Sequence, residues 1–95
     1  MALACHRILR NGLIIQWGKG SSSGEDAAAS ISFTINFTQI PSFFITPKKN
    51  DGNWYYFVFT VKTVGTGSAM AVGRAGDRNN DWRQNMDYSW LAIGY

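Results

Sequence analysis

Of cysteine and histidine this 95-residue sequence has one each, Cys5 and His6. A lone cysteine excludes a disulfide within the chain and a cysteine-built zinc site, so the fold must stand on packing. The neighbouring pair Cys5-His6 lies in the opening stretch, where exposed terminal residues are the ordinary reading. No metal and no cofactor is expected. Charged residues are also few, at 16%. The five arginines and four lysines are scattered, and a net charge of +3 without a basic run argues against nucleic acid. No apolar run approaches the ~20 residues of a membrane helix, and "MALACHRILR" is too short for a signal peptide. The expectation is a soluble chain made in a cytoplasm, without membrane insertion; "NFT" at Asn36 to Thr38 therefore carries no weight as a glycosylation signal.

Catalytic chemistry is equally thin. A nucleophile needs a base within reach, and the single histidine sits at the edge of the chain. The acidic residues Glu25, Asp26, Asp51, Asp77, Asp81 and Asp87 fall in loops or at strand ends, where solvated carboxylates are the ordinary reading, not a glycosidase pair. "GTGSAM" at Gly65 to Met70 misses a dinucleotide fingerprint, because Met70 stands at the third glycine position and no helix follows. No enzyme is expected.

What is present is a core. The chain is 45% hydrophobic and 15% aromatic, which excludes global disorder. Residues 30–37, "SISFTINF", alternate strictly, with Ile31, Phe33, Ile35 and Phe37 on one side and polar residues on the other. "LIIQW" reads as a strand led in by the turn signal Asn11-Gly12. "SFFIT", "WYYFVFTVKTV" and "GTGSAMAV" follow, with a hairpin signal at Asp51-Gly52. The final strand runs from about Met86 to Tyr95. About six short strands and no helix predict a small antiparallel β-sandwich or barrel.

Three strands have no polar side. In the last, Trp90, Ala92 and Gly94 point one way and Leu91, Ile93 and Tyr95 the other; "LII" and "WYYFVF" are alike. One face in the core and the other against a second subunit accounts for this, and homo-oligomerisation is expected.

The longest polar stretch, residues 73–85, reads as a surface loop. Arg74, Asp77, Arg78, Asn79, Asn80, Asp81 and Arg83 supply donors and acceptors around the flat face of Trp82, a composition that suits a sugar. The competing reading is a solvated loop with Trp82 folded back onto the core. Lys48, Lys49, Asp51 and Trp54 form a second candidate loop.

"NGLIIQWGKG" at residues 11–20 and "WLAIGY" at the terminus, with "ISFTINF" between, resemble the C-terminal tip domain of tailed-bacteriophage and prophage tail fibres. The resemblance spans residues 11–95 and leaves residues 1–10 as a separate N-terminal segment, mobile or left from a shaft junction. It implies a β-sandwich similar to H-type lectins, packed as a homotrimer. Leu13, Ile15, Trp17, Ile31, Phe33, Ile35, Phe37, Trp90, Leu91 and Ile93 would build the fold and part of the interface. It further implies a virion location at a fibre tip and a bacterial surface glycan, such as lipopolysaccharide, as partner. Two alternatives stand beside this: a structural cap that trimerises and terminates the fibre, and a free-standing lectin of the same fold.

Overall fold

A computed structural model describes residues 4–48, 56–77 and 79–95. Its eight strands are β1 (Ala4–Ile8), β2 (Ile14–Ser21), β3 (Ala28–Ser32), β4 (Ser42–Lys48), β5 (Tyr56–Val64), β6 (Ser68–Gly76), β7 (Asp81–Arg83) and β8 (Asp87–Gly94). All pairings are antiparallel. One sheet has the order β1-β2-β8-β4; the other has β3-β6-β5. β6 spends one edge on β5 and shares the other, pairing β3 through residues 68–72 and β7 through residues 74–76. No helix among the described residues is long and apolar enough to cross a membrane.

Between the sheets, large and small side chains interdigitate. Trp90, Phe33, Phe37 and Tyr88 pack with Ile14, Ile31 and the alanines Ala29, Ala69, Ala71 and Ala92. Phe33 meets Phe37 edge-on at 5.3 Å between ring centroids and lies 5.7 Å from Trp90. Such aromatic pairs add about 0.5–1.5 kcal/mol each beyond the area they bury.

Local patterning and long-range pairing part company in three places. The alternation over residues 30–37 is real as burial, since Ile31, Phe33 and Phe37 are buried and the polar residues between them are exposed. As sheet it stops at Ser32. Beyond that point Phe33 and Phe37 donate their N–H groups to the carbonyls of Gly67 and Thr66, and Ile35 pairs with a side chain. Gln16, wholly buried, donates from Nε2 to the Ile35 carbonyl at 2.7 Å and accepts the Ile35 N–H on Oε1 at 3.1 Å. One amide thus imitates a neighbouring strand.

The second difference is the opening segment. Residues 4–8 form β1, an edge strand on β2, across a turn in which Asn11 Oδ1 accepts the Leu13 N–H and Gly12 adopts φ +88°. The turn signal at Asn11-Gly12 is therefore a hairpin; the strand before it lacks the apolar alternation that reveals the others. The third is residues 73–85, which are not one surface loop. Strand β6 runs on to Gly76 and β7 returns from Asp81, leaving a turn at 77–80. The expected Asp51-Gly52 hairpin turn lies outside the described residues.

Replacing Gln16 by leucine keeps the volume and removes both bonds to Ile35. We expect a loss of about 2–3 kcal/mol in urea unfolding, the cost of leaving a half-buried peptide group unpaired. A change below about 0.5 kcal/mol would contradict a structural role for this amide.

Candidate functional site

Strand direction places the two ends of the sandwich apart. One end gathers Gly12, Thr66 and Tyr95, whose carbonyl accepts from Thr38 N–H at 2.6 Å, Thr38 Oγ1 at 2.8 Å and Gln39 N–H at 3.2 Å. The other gathers the 22–27 connection, the β6–β7 hairpin and the start of β8, tied by Ser22 N–H to the Met86 carbonyl and Gln84 N–H to the Gly73 carbonyl. The polar residues from 73 to 85 thus lie at the end opposite Tyr95.

The hairpin brings most of the sequence-derived candidates together. Asp77 orders the turn: its Oδ1 accepts the N–H groups of Asn79 and Asn80 at 2.8 and 2.9 Å, and its own N–H donates to the Asn80 carbonyl. These backbone bonds hold its carboxyl below the usual carboxylate value. Arg74 pairs with Asp81 at 3.1 Å, and Arg83 reaches across to Asp26 at 2.6 Å. Trp82 is half-buried and donates Nε1–H to Gln84 Oε1 at 3.2 Å, leaving part of its surface open. Asn79 and Asn80 are exposed. Arg78 lies outside the described residues.

Exposed ion pairs of this kind are worth roughly 0–1 kcal/mol, so a ligand can exchange for either partner at small cost. Chemically, the described residues of the hairpin end offer two guanidiniums, three carboxylates, the two exposed asparagine amides and an indole edge. It can hold hydroxyls and an apolar C–H face. Among the described residues, no three of His, Cys, Asp and Glu converge as metal ligands.

The second candidate loop is only partly placed. Lys48 ends β4 on the outer face of the four-stranded sheet; Lys49, Asp51 and Trp54 lie outside the described residues. Asp26, the partner of Arg83, carried no sequence signal, because 57 positions separate the two.

The ten residues expected to build fold and interface divide by face. Ile31, Phe33, Phe37 and Trp90 are core, and Ile35 packs against it. Leu13, Ile15 and Ile93 are half-buried, while Trp17 and Leu91 lie outward, 41% and 37% exposed. Register aligns the outward residues in rows: Cys5, Trp17, Leu91 and Phe44 across four strands, and beside them Ile15 and Ile93. Phe44 is 56% exposed. Strands β2, β4 and β8 therefore show water a continuous apolar stripe; in β2 and β8 this is the two-sidedness read from the sequence, and β4 adds Phe44 to it. β5 likewise exposes Tyr56 and Val58.

A family model described as the C-terminal domain of putative gp53-like tail fibre proteins matches residues 7–95. No curated protein matches the sequence. Two solved structures share the fold. An N-truncated R2-type pyocin tail fibre superposes with a TM-score of 0.67 at 22% identity, over 98% of this chain and 38% of its own. A C-terminal portion of the Pseudomonas aeruginosa R2 pyocin fibre gives 0.64 at 23% identity, over 98% of this chain and 26% of its own. The chain thus spans well under half the length of these fibre chains.

Lowering the pH should loosen the 77–80 turn. A depressed carboxyl value means that the stabilisation is present above the unfolded-state value and is lost as pH falls through the lower folded-state one. Amide exchange at Asn79 and Asn80 should accelerate there in excess of the intrinsic rate. In Asp77→Ala the excess should be absent and the turn equally loose at all pH values; a wild-type profile in that variant would contradict the assignment.

Proposed function

The chain belongs to the gp53-like tail fibre C-terminal family, and on that premise we propose that it is the receptor-binding tip of a phage or phage-like tail fibre. It works without catalysis, as a homotrimer at the virion's fibre end, and recognises a bacterial surface glycan such as lipopolysaccharide. The single observation that carries the glycan reading is the hairpin end. There the exposed amides of Asn79 and Asn80, the labile pairs Arg74–Asp81 and Arg83–Asp26, and the open part of Trp82 share one end of the molecule.

Roles follow from chemistry. Trp82 offers an apolar surface to a pyranose ring, Asp77, Asp81, Asn79 and Asn80 bind hydroxyls, and Arg74, Arg78 and Arg83 meet phosphate or acidic sugars, to which guanidinium geometry is suited. Lys48, at the end of β4, is a secondary contact; Lys49, Asp51 and Trp54, which follow it in sequence, are further candidates. The sandwich is of the H-type-lectin kind. The stripe of Ile15, Trp17, Leu91, Ile93 and Phe44 is the subunit interface, because a patch this apolar on a sheet face is otherwise an aggregation hazard.

A structural cap is the second reading, favoured by one observation: among the described residues, Arg74 and Arg83 already have carboxylate partners in Asp81 and Asp26. Binding separates the two. Purified protein should bind lipopolysaccharide from a permissive host, and Trp82→Ala with Asn80→Ala should weaken it at least tenfold while solution mass is unchanged. Undiminished binding in that variant would move the site elsewhere, and no binding by the wild type to any host envelope would leave the cap. Separately, the wild type should run at three times the 10.6 kDa chain mass. Leu91→Lys should shift it to monomer, whereas a wild-type monomer at micromolar concentration would remove the interface.

A further inference from the structure

On the outer face of the four-stranded sheet, where the apolar stripe stops, lies an open cleft of about 430 Å³. Two register rows line it: Lys19 and Ser89 in one, Ser21, Asp87 and Lys48 in the next. The lysines occupy diagonal corners. Strand spacing puts their Cα atoms roughly 12 Å apart, within the joint reach of two four-carbon side chains. Ser89 and Asp87 stand between them.

Neither lysine is neutralised by a described residue. The ion pairs among the described residues are Arg74–Asp81 and Arg83–Asp26, and Asp87, though opposite Lys48 in register, is not within ion-pair distance of it. Asp87, which lines the cleft, instead accepts the Ser21 hydroxyl on Oδ1 at 2.5 Å, which orients the carboxylate. The floor is firm. Tyr88 lies so close to Gly20 that a Cβ there would stand 2.5 Å from its hydroxyl oxygen, so only glycine lets the ring seat at this point. Burial pushes the Tyr88 phenol above its ordinary value, so the ring brings no charge of its own to the cleft at neutral pH.

We infer that this cleft binds the anionic group of an acidic saccharide, a phosphate or a carboxylate, between Lys19 and Lys48, with Ser89 and the Asp87 carboxylate taking neighbouring hydroxyls. Lysine is a flexible point charge suited to a tetrahedral or planar anion without demanding one geometry. A single carboxylate beside two ammonium groups leaves the cleft net positive while adding a hydroxyl acceptor, a combination that selects a sugar bearing an anion over a bare anion. The cleft opens at the same end of the sandwich as the β6–β7 hairpin, so one branched glycan can span both. This inference rests on the glycan-binding reading for its biological ligand; the binding chemistry stands apart from it.

The test is a nuclear magnetic resonance titration of the intact chain with glucose 1-phosphate, glucuronate, inorganic phosphate and glucose. Glucose 1-phosphate or glucuronate should shift the Lys19, Asp87 and Ser89 amides saturably, the stronger of the two identifying the anion, and inorganic phosphate and glucose should bind at least tenfold more weakly. Lys19→Gln with Lys48→Gln should weaken the preferred probe at least tenfold at unchanged solution mass, and Ser89→Ala by a smaller factor. The inference is overturned if neither anionic sugar shifts these amides, or if the double variant binds as the wild type does. A protein that takes the anionic sugar in the cleft but binds no host lipopolysaccharide supports the cleft and sinks the receptor reading; lipopolysaccharide binding lost in the Trp82 variant, with anionic sugars ignored by the cleft, does the reverse.

Discussion

The sandwich hangs on one buried amide. Gln16 sits near the start of β2 and closes two hydrogen bonds with Ile35, so the four-stranded sheet holds the segment after β3 without a further strand. A buried polar group is costly unless satisfied, and this one is satisfied on both its donor and acceptor sides. The consequence reaches both sheets. Holding Ile35 sets Phe33 against Trp90 and Phe37 against Phe33, and the chain beyond Phe37 closes over Tyr95 through Thr38 and Gln39. One segment thus both fills the core and covers the end of the last strand.

With the last strand fixed between β2 and β4, its two faces acquire different work. Tyr88, Trp90 and Ala92 go inward; Leu91 and Ile93 join Trp17, Ile15 and Phe44 outward. The same rows, continued two residues toward Asp87, turn polar at Ser89 and Lys19. A single sheet face can therefore pair with another copy along its apolar half and meet a hydrophilic ligand along the other, with no loop rearrangement between the two. The turn at Asp77 adds a second polar surface at that end, preordered by its own backbone bonds.

Local patterns revealed what depends on local chemistry. The alternation of Ile31, Phe33, Ile35 and Phe37 is their burial, the doubled apolar faces of β2 and β8 are an outward stripe, and Asn11-Gly12 is a turn. Pairing that depends on distant residues was not legible. β1 reads "ACHRI", with no period, and becomes a strand because β2 offers it an edge. β7 is three residues long, "DWR", and exists because β3 vacates the edge of β6 at Val72. Gln16 looks like any outward polar residue until Ile35 arrives opposite it. For the site, composition picked out the hairpin residues, whereas Asp26 and the rows of Lys19 and Lys48 meet only through the register of strands far apart in sequence.

The most direct measurement is a structure of the assembled protein with lipopolysaccharide core oligosaccharide bound. The account predicts copies joined over Trp17, Leu91 and Phe44, with sugar at the 77–83 hairpin and its acidic group beside Lys19 and Lys48. Copies joined elsewhere with this face in water, or sugar seated away from the hairpin end, would contradict it.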